Sequence, residues 1–138
     1  MNAVLHYRNL PVKRKLYLII MGIVGAALTL ACAAVGGEGI VSVVGQAAPK
    51  PMRALIDLAR AGKMNEALVA HQKLMPLFRA AFLESNPGPI KYLLSEMGLI
   101  ANELRLPLVP IEPATEKAVL EAARAVGIAL GAAAGRPA

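Results

Sequence analysis

Residues 36–52 read GGEGIVSVVGQAAPKPM, and whether they form strand or helix decides the architecture of the chain. Gly39 to Gly45 is a short β-branched run bounded by glycine, the pattern of a fully buried strand. Such a strand needs a neighbour on each edge, and no second run of comparable quality follows. The pattern therefore predicts one isolated strand, which has lost its sheet or must borrow one.

Downstream the period changes to that of helices. Pro51 stands where a first-turn proline belongs, and Met52, Leu55, Ile56 and Ala59 fall at helical spacing before Gly62 ends the element. A second helix is expected from about Asn65 as N-cap, with Leu68, Val69, Leu74, Leu77, Phe78, Ala81 and Phe82 facing inward and Pro76 kinking it. Ser85-Asn86-Pro87-Gly88-Pro89 breaks the chain, and Pro89 opens a third helix through Tyr92, Leu93, Leu94 and Met97 to Gly98. Leu104 to Pro110 is expected to be extended, because a residue before proline is pushed out of the α region. Pro113 opens a last helix through Val119, Leu120, Ala123, Val126 and Leu130, and the small-residue tail from Gly131 to Ala138 is expected to fray. Helix packed on helix can bury a small core, so the fold class is mainly α.

Upstream, residues 16–37 read LYLIIMGIVGAALTLACAAVGG, without one Asp, Glu, Lys, Arg or His. As a helix this run would reach about 33 Å, enough for a hydrocarbon core of about 30 Å. Lys13, Arg14 and Lys15 precede it, which predicts a single-pass membrane segment with the N-terminus on the cytoplasmic side. A cleaved signal ending at Ala31-Cys32-Ala33 and a segment buried inside a globular domain are the competing readings. Cys32 reads as a small apolar residue of this run, the Thr29 spacing being poor for lipidation. The chain divides in this reading into residues 1–37, a basic N-terminus with its anchor or signal, and residues 38–138, the helical part.

Composition narrows the function. Of 138 residues 57% are apolar, with 15 basic against 9 acidic side chains, so disorder is excluded. Residues 1–35 hold a net +4, while the rest is an even mix with a net +2. Together with the absence of Trp and the presence of only two Phe, that distribution gives neither a phosphate-tracking stripe nor a stacking platform, and no nucleic-acid partner is expected. The single Cys excludes a disulfide framework and a cysteine zinc site. His6 and His71 have no second ligand at metal spacing, and the glycines at 36, 37 and 39 lack the Gly-Lys-Ser/Thr of a phosphate loop. No metal and no cofactor are therefore expected.

Lys50, Lys63, Lys73, Lys91 and Lys117 are the candidate amine nucleophiles of residues 36–138. Each lies in or beside an amphipathic helix with polar neighbours, which predicts solvated rather than activated lysines. Glu112, Glu116 and Glu121 could be paired carboxylates. Their positions suit the start and surface of the last helix better, the first two offsetting its dipole.

Two resemblances add to this reading. Arg8-Asn9-Leu10-Pro11-Val12-Lys13-Arg14-Lys15-Leu16, followed by Leu18-Ile19-Ile20-Met21, resembles the start of bacterial membrane-bound sensor histidine kinases and diguanylate cyclases. Over residues 36–130 the ordered motifs Gly36-Gly37-Glu38-Gly39-Ile40-Val41-Ser42-Val43, Ala48-Pro49-Lys50-Pro51-Met52, Leu74-Met75-Pro76-Leu77-Phe78, Glu84-Ser85-Asn86-Pro87-Gly88-Pro89-Ile90-Lys91 and Leu104-Arg105-Leu106-Pro107-Leu108 resemble the C-terminal part of the dihydrodipicolinate synthase family of pyruvate-dependent lyases.

The resemblance implies a remnant of a TIM (β/α)8 barrel: its last strand and helix, then a C-terminal helical bundle. A whole barrel of about 250 residues does not fit in this length. The family condenses pyruvate with aspartate semialdehyde in lysine biosynthesis through a lysine Schiff base, and its members are commonly cytoplasmic tetramers. The Schiff-base lysine, the relay tyrosine and the Gly-Thr-Thr loop match no position of this chain. Val41, with Ser42 and Val43 beside it, is implied as pocket lining.

The expectation is a family fragment that is inactive alone, takes pyruvate only when the rest of the barrel is supplied, and can associate with a full-length homologue. The alternative is a membrane-anchored helical module that pairs its strand with a partner's sheet edge. Gln46, Pro51 and Gly88 depart from the family pattern, and Gly88 is expected to loosen the third helix entry.

Overall fold

The structure, a computed structural model, describes residues 36–131. These form α1 (Val44–Ala47), α2 (Pro49–Arg60), α3 (Met64–Ala80), α4 (Gly88–Glu96) and α5 (Pro113–Ala125). The mainly helical reading holds. The expected strand does not form: residues 37–42 have no regular structure, and the next residues turn into α1. A strand leaves its backbone groups to be paired by neighbours, and no strand is present among the described residues to pair them. A helical turn pairs its own. Val43 is its N-cap residue, and just before it Ser42 Oγ accepts the Gly45 N–H at 3.2 Å.

Three helices end in the same way. The N–H groups of Gly62 and Lys63 bond back to Ala59 and Leu58, those of Gly98 and Leu99 to Ser95 and Leu94, and those of Gly127 and Ile128 to Arg124 and Ala123. This is the Schellman arrangement, and it requires a left-handed residue at the first position past the cap. The three glycines supply it at φ 73°, 73° and 76°. Gly62 and Gly98 end helices where the sequence predicts. Gly127 ends α5 before Leu130, so the last helix is shorter than expected.

The first long helix, α2, begins at Pro49, two residues before the expected Pro51. Met52, Leu55 and Ala59 are buried along it. α3 starts after Lys63 rather than at an Asn65 cap, and it carries Pro76 inside. Its buried residues are Ala67, His71, Leu74, Leu77, Phe78 and Ala80, so Leu74, Leu77 and Phe78 face inward as expected, as does Ala81 just past its end, while Leu68 is 45% and Val69 is 52% exposed. The spacing 67, 71, 74, 78 is a clean helical stripe, but an alanine and a histidine occupy its first half, so counting large apolar residues misplaces only the N-terminal part of the face.

Leu104 to Pro110 is not uniformly extended. The Leu108 N–H donates to the Arg105 carbonyl at 3.0 Å across a cis Leu106–Pro107 bond, which makes a turn.

α2 packs on α3, α3 and α4 pack on α5, and α1 packs on both α2 and α4. The core they share includes Leu55, Leu77, Leu93 and Val119. Two side-chain bonds tie the irregular segment between α4 and α5 back to the bundle. Lys91 Nζ donates to the Glu103 carbonyl, and the Glu112 N–H donates to Glu84 Oε1 at 2.9 Å. Gly88 does not loosen its helix entry. A Cβ there would meet Ile111 Cγ2 at 2.9 Å, so the missing side chain lets the segment before α5 close against α4.

No helix among the described residues is long and apolar enough to cross a membrane. The expected membrane segment at residues 16–37 lies outside the described residues except for Gly36 and Gly37.

Candidate functional site

A hollow lies where the 40–46 segment meets α2. It is open, has a volume of about 330 Å³, and is lined by Ile40, Ser42, Gln46, Pro49, Met52 and Ile56, with Arg53 at its edge. Its walls follow from the local fold. Ser42 and Gln46 reach it from the start of α1, while Met52 and Ile56 lie one helical turn apart on the face that α2 presents there.

The polar groups here are weakly equipped for chemistry. Ser42 Oγ is engaged by the Gly45 N–H. Arg53 Nε donates to both carboxylate oxygens of Asp57, at 2.9 and 2.8 Å. Both side chains are exposed, so this i,i+4 pair contributes little stability.

The three residues implied as pocket lining take three different positions. Ser42 lines the hollow. Val43 is half-buried and packs against the helical core, and Val41 stands free at 106% exposure. Gln46 and Arg53, which also line the hollow, were not picked out from sequence as site residues, and they come from two different helices, α1 and α2.

Lys50, Lys63, Lys73 and Lys117 are exposed or half-exposed. Lys63 lies 3.6 Å from Glu66 in a surface pair. Lys91 is half-buried with its amine donating to the Glu103 carbonyl. None of the five has the desolvated pocket that would make an amine a good nucleophile. Glu112 is the N-cap residue of α5, Glu116 is in its first turn, and Glu121 is exposed on its surface, as the dipole reading expects. Among the described residues no group of three or more His, Cys, Asp or Glu side chains is placed to hold a metal ion.

His71 was not expected in the core. It is buried in α3, stacks on Phe78 with ring centroids 5.4 Å apart, and its Nδ1 has no hydrogen-bond partner among the described residues. Burial pushes its imidazole below the ordinary value of 6.5. The unfolded chain therefore takes up this proton first as the pH falls. The neutral histidine contributes its full share of stability above the ordinary value, and that share is lost as the pH falls from there through the lowered native value. Urea unfolding of the whole chain between about pH 7 and pH 5 is expected to show this decline, and His71→Leu is expected to flatten it. An equally steep decline in the variant would assign the effect to other groups.

With this geometry in place, comparison with known proteins gives a consistent result. The model of the dihydrodipicolinate synthetase family matches residues 9–126. The 4-hydroxy-tetrahydrodipicolinate synthase of Chlorobaculum parvum is 45% identical over 97 residues, which are 68% of this chain and 33% of that protein. In structure, the dihydrodipicolinate synthase of Aquifex aeolicus superposes with a TM-score of 0.72 at 32% identity, covering 76% of this chain and 36% of that one. The chloride-inhibited enzyme of Acinetobacter baumannii, solved with pyruvate, gives 0.69 at 33% identity, covering 79% and 36%.

The chain thus spans about a third of the length of the relatives it matches. The match begins upstream of the motifs quoted above, so it takes in the apolar run of residues 16–37, and the resemblance of residues 8–21 to sensor proteins finds no support. Helices that place the synthase motifs in order, superposing on the solved synthases over three quarters of the chain, show that the chain belongs to the dihydrodipicolinate synthetase family.

Proposed function

We propose that residues 38–138 are the C-terminal part of a dihydrodipicolinate synthase-like lyase and have no lyase activity by themselves. The family reaction joins pyruvate to aspartate semialdehyde through a lysine Schiff base. The observation that carries the reading is the environment of the lysines. An amine attacks a carbonyl at neutral pH only when desolvation or a neighbouring cation lowers its pKa. Four of the five lysines of the helical part are open to solvent, and the fifth gives its amine to a backbone carbonyl.

The contribution of this part to a complete barrel is structural. The 40–46 segment, with Ser42 beside Gln46, supplies one wall of a pocket, and α2 to α5 support that wall from behind. Pyruvate becomes a ligand only when the other strands of a barrel, with their lysine, are supplied, for instance by a full-length homologue. The alternative, a membrane-anchored module pairing a strand with a partner, is not favoured: the strand is absent from the described residues.

The test is intact-mass analysis of the purified full chain after incubation with pyruvate and borohydride, which reduces a Schiff base to a permanent adduct. No adduct is expected on this chain, while a full-length synthase treated alongside is labelled stoichiometrically. A stoichiometric adduct on this chain would show that one of its own lysines has been recruited and would end the inactive-part reading.

A further inference from the structure

We propose that the chain self-associates, the outward face of α3 in one copy docking on the segment between α4 and α5 of another. α3 is apolar on two sides. Ala67, His71, Leu74 and Phe78 go into the bundle, while Met64, Leu68 and Val69 stand exposed. Met64 and Leu68 are one helical turn apart, with Val69 beside Leu68. The sequence marks Leu68 and Val69 as inward-facing, yet the bundle leaves them in water. Large apolar side chains grouped on one exposed face gain free energy from an apolar cover. The segment between α4 and α5 has the same chemistry, with Leu106 87% exposed and Val109 exposed close to it. The bonds of Lys91 to the Glu103 carbonyl and of the Glu112 N–H to Glu84 hold this segment in place, which lowers the ordering cost of docking on it.

Charge decides the occupant. Residues 60–79 carry a net +3 and residues 96–116 a net −3. Lys63 already pairs with Glu66. Among the described residues, Arg60, Lys73 and Arg79 on the first surface and Glu96, Glu103 and Glu116 on the second stand in no ion pair. Two copies meeting α3 to α3 would set like charges against each other, which suppresses that pairing. α3 meeting the segment between α4 and α5 sets opposite charges against each other around two apolar centres. Each copy owns both halves, so a pair related by a two-fold axis makes the contact twice.

The inference does not rest on the reading of the chain as an inactive lyase part, and a borohydride adduct would leave it standing. Sedimentation velocity of the full chain tests it. At about 100 μM and low salt, where weak association is visible, a dimer is expected. Salt at about 0.5 M screens the exposed charges and is expected to raise the dissociation constant several-fold. Leu68→Glu puts a negative charge opposite the acidic segment, and Leu106→Lys puts a positive charge opposite α3. Each variant alone is expected to dissociate at least about tenfold more readily than the wild type. Mixed in equal amounts the two are expected to associate again, because the intact α3 of one meets the intact segment of the other, and the two introduced charges are opposite. Helical circular dichroism is expected to be unchanged, both side chains being in solvent. A variant that loses it is replaced by Leu68→Ser or Leu106→Ser, with the same expected direction. A wild-type chain that stays monomeric at the same concentration, association untouched by either variant, or a mixture that stays monomeric would each overturn the proposal. So would a loss confined to Leu68→Glu, which is the result of α3 meeting α3 or a different protein.

Discussion

Leu93→Ala is expected to lower the unfolding free energy by about 3 kcal/mol, the middle of the range for a fully enclosed leucine. Leu93 is 0% exposed in α4 and belongs to the core shared by the helices. Removing its isobutyl group costs the transfer free energy of the lost carbons and leaves a cavity that close-packed neighbours fill only in part. Domains of this size have about 5–15 kcal/mol in all, so the change removes a large fraction of the total. In thermal unfolding the midpoint should fall by roughly 12–24 °C. Leu99→Ala is the control: Leu99 is 62% exposed just past the end of the same helix, and its loss is expected to stay within about 0.5 kcal/mol. Equal effects of the two changes would mean that α4 does not dock as described.

Ala123→Leu should destabilise from the opposite direction, by roughly 1–3 kcal/mol. Ala123 is 0% exposed in α5, the helix against which both α3 and α4 pack. Leucine and alanine have nearly equal helix propensity, so the cost comes from forcing three more carbons into a filled space. Ala125→Leu, on the same helix at an exposed position, is expected to be nearly neutral. Urea midpoints for the two variants separate packing from helix formation. If Ala125→Leu cost as much as Ala123→Leu, the buried contact of α5 could not be the reason.

Much of the helical part could be read from local chemistry. Gly62 and Gly98 mark helix ends because only glycine takes a left-handed residue at little cost, and both ends are where the sequence predicts them. Pro113 opens α5 for the complementary reason: its missing N–H would be unpaired there in any case. The C-terminal half of the α3 face is as expected, with Leu74, Leu77 and Phe78 buried, but its N-terminal half is misread from sequence because burial depends on position around the helix as well as on side-chain size. Ala67 and His71 go inward while Leu68 and Val69 go outward, and no count of apolar residues separates those cases. Gly88 is misread in the same way, since its role depends on Ile111, 23 positions away in the chain.

Of the candidate site, the sequence supplied Ser42 and the neutral assessment of the lysines, while the hollow itself, with Gln46 and Arg53 lining it, arises from how α1 turns against α2.

The sequence by itself determined the helical class, the order of the elements, most helix boundaries and the family, because each is encoded by residues close together in the chain. The fate of Gly39 to Gly45 could be decided only in three dimensions. Its β-branched pattern suits a strand, but a strand exists only where neighbours pair its backbone, and without them among the described residues the end of this run pairs its own groups as the first turn of α1. The tertiary structure alone also put His71 in the core and Val41 outside it, since burial is a property of what packs against a residue and not of the residue itself.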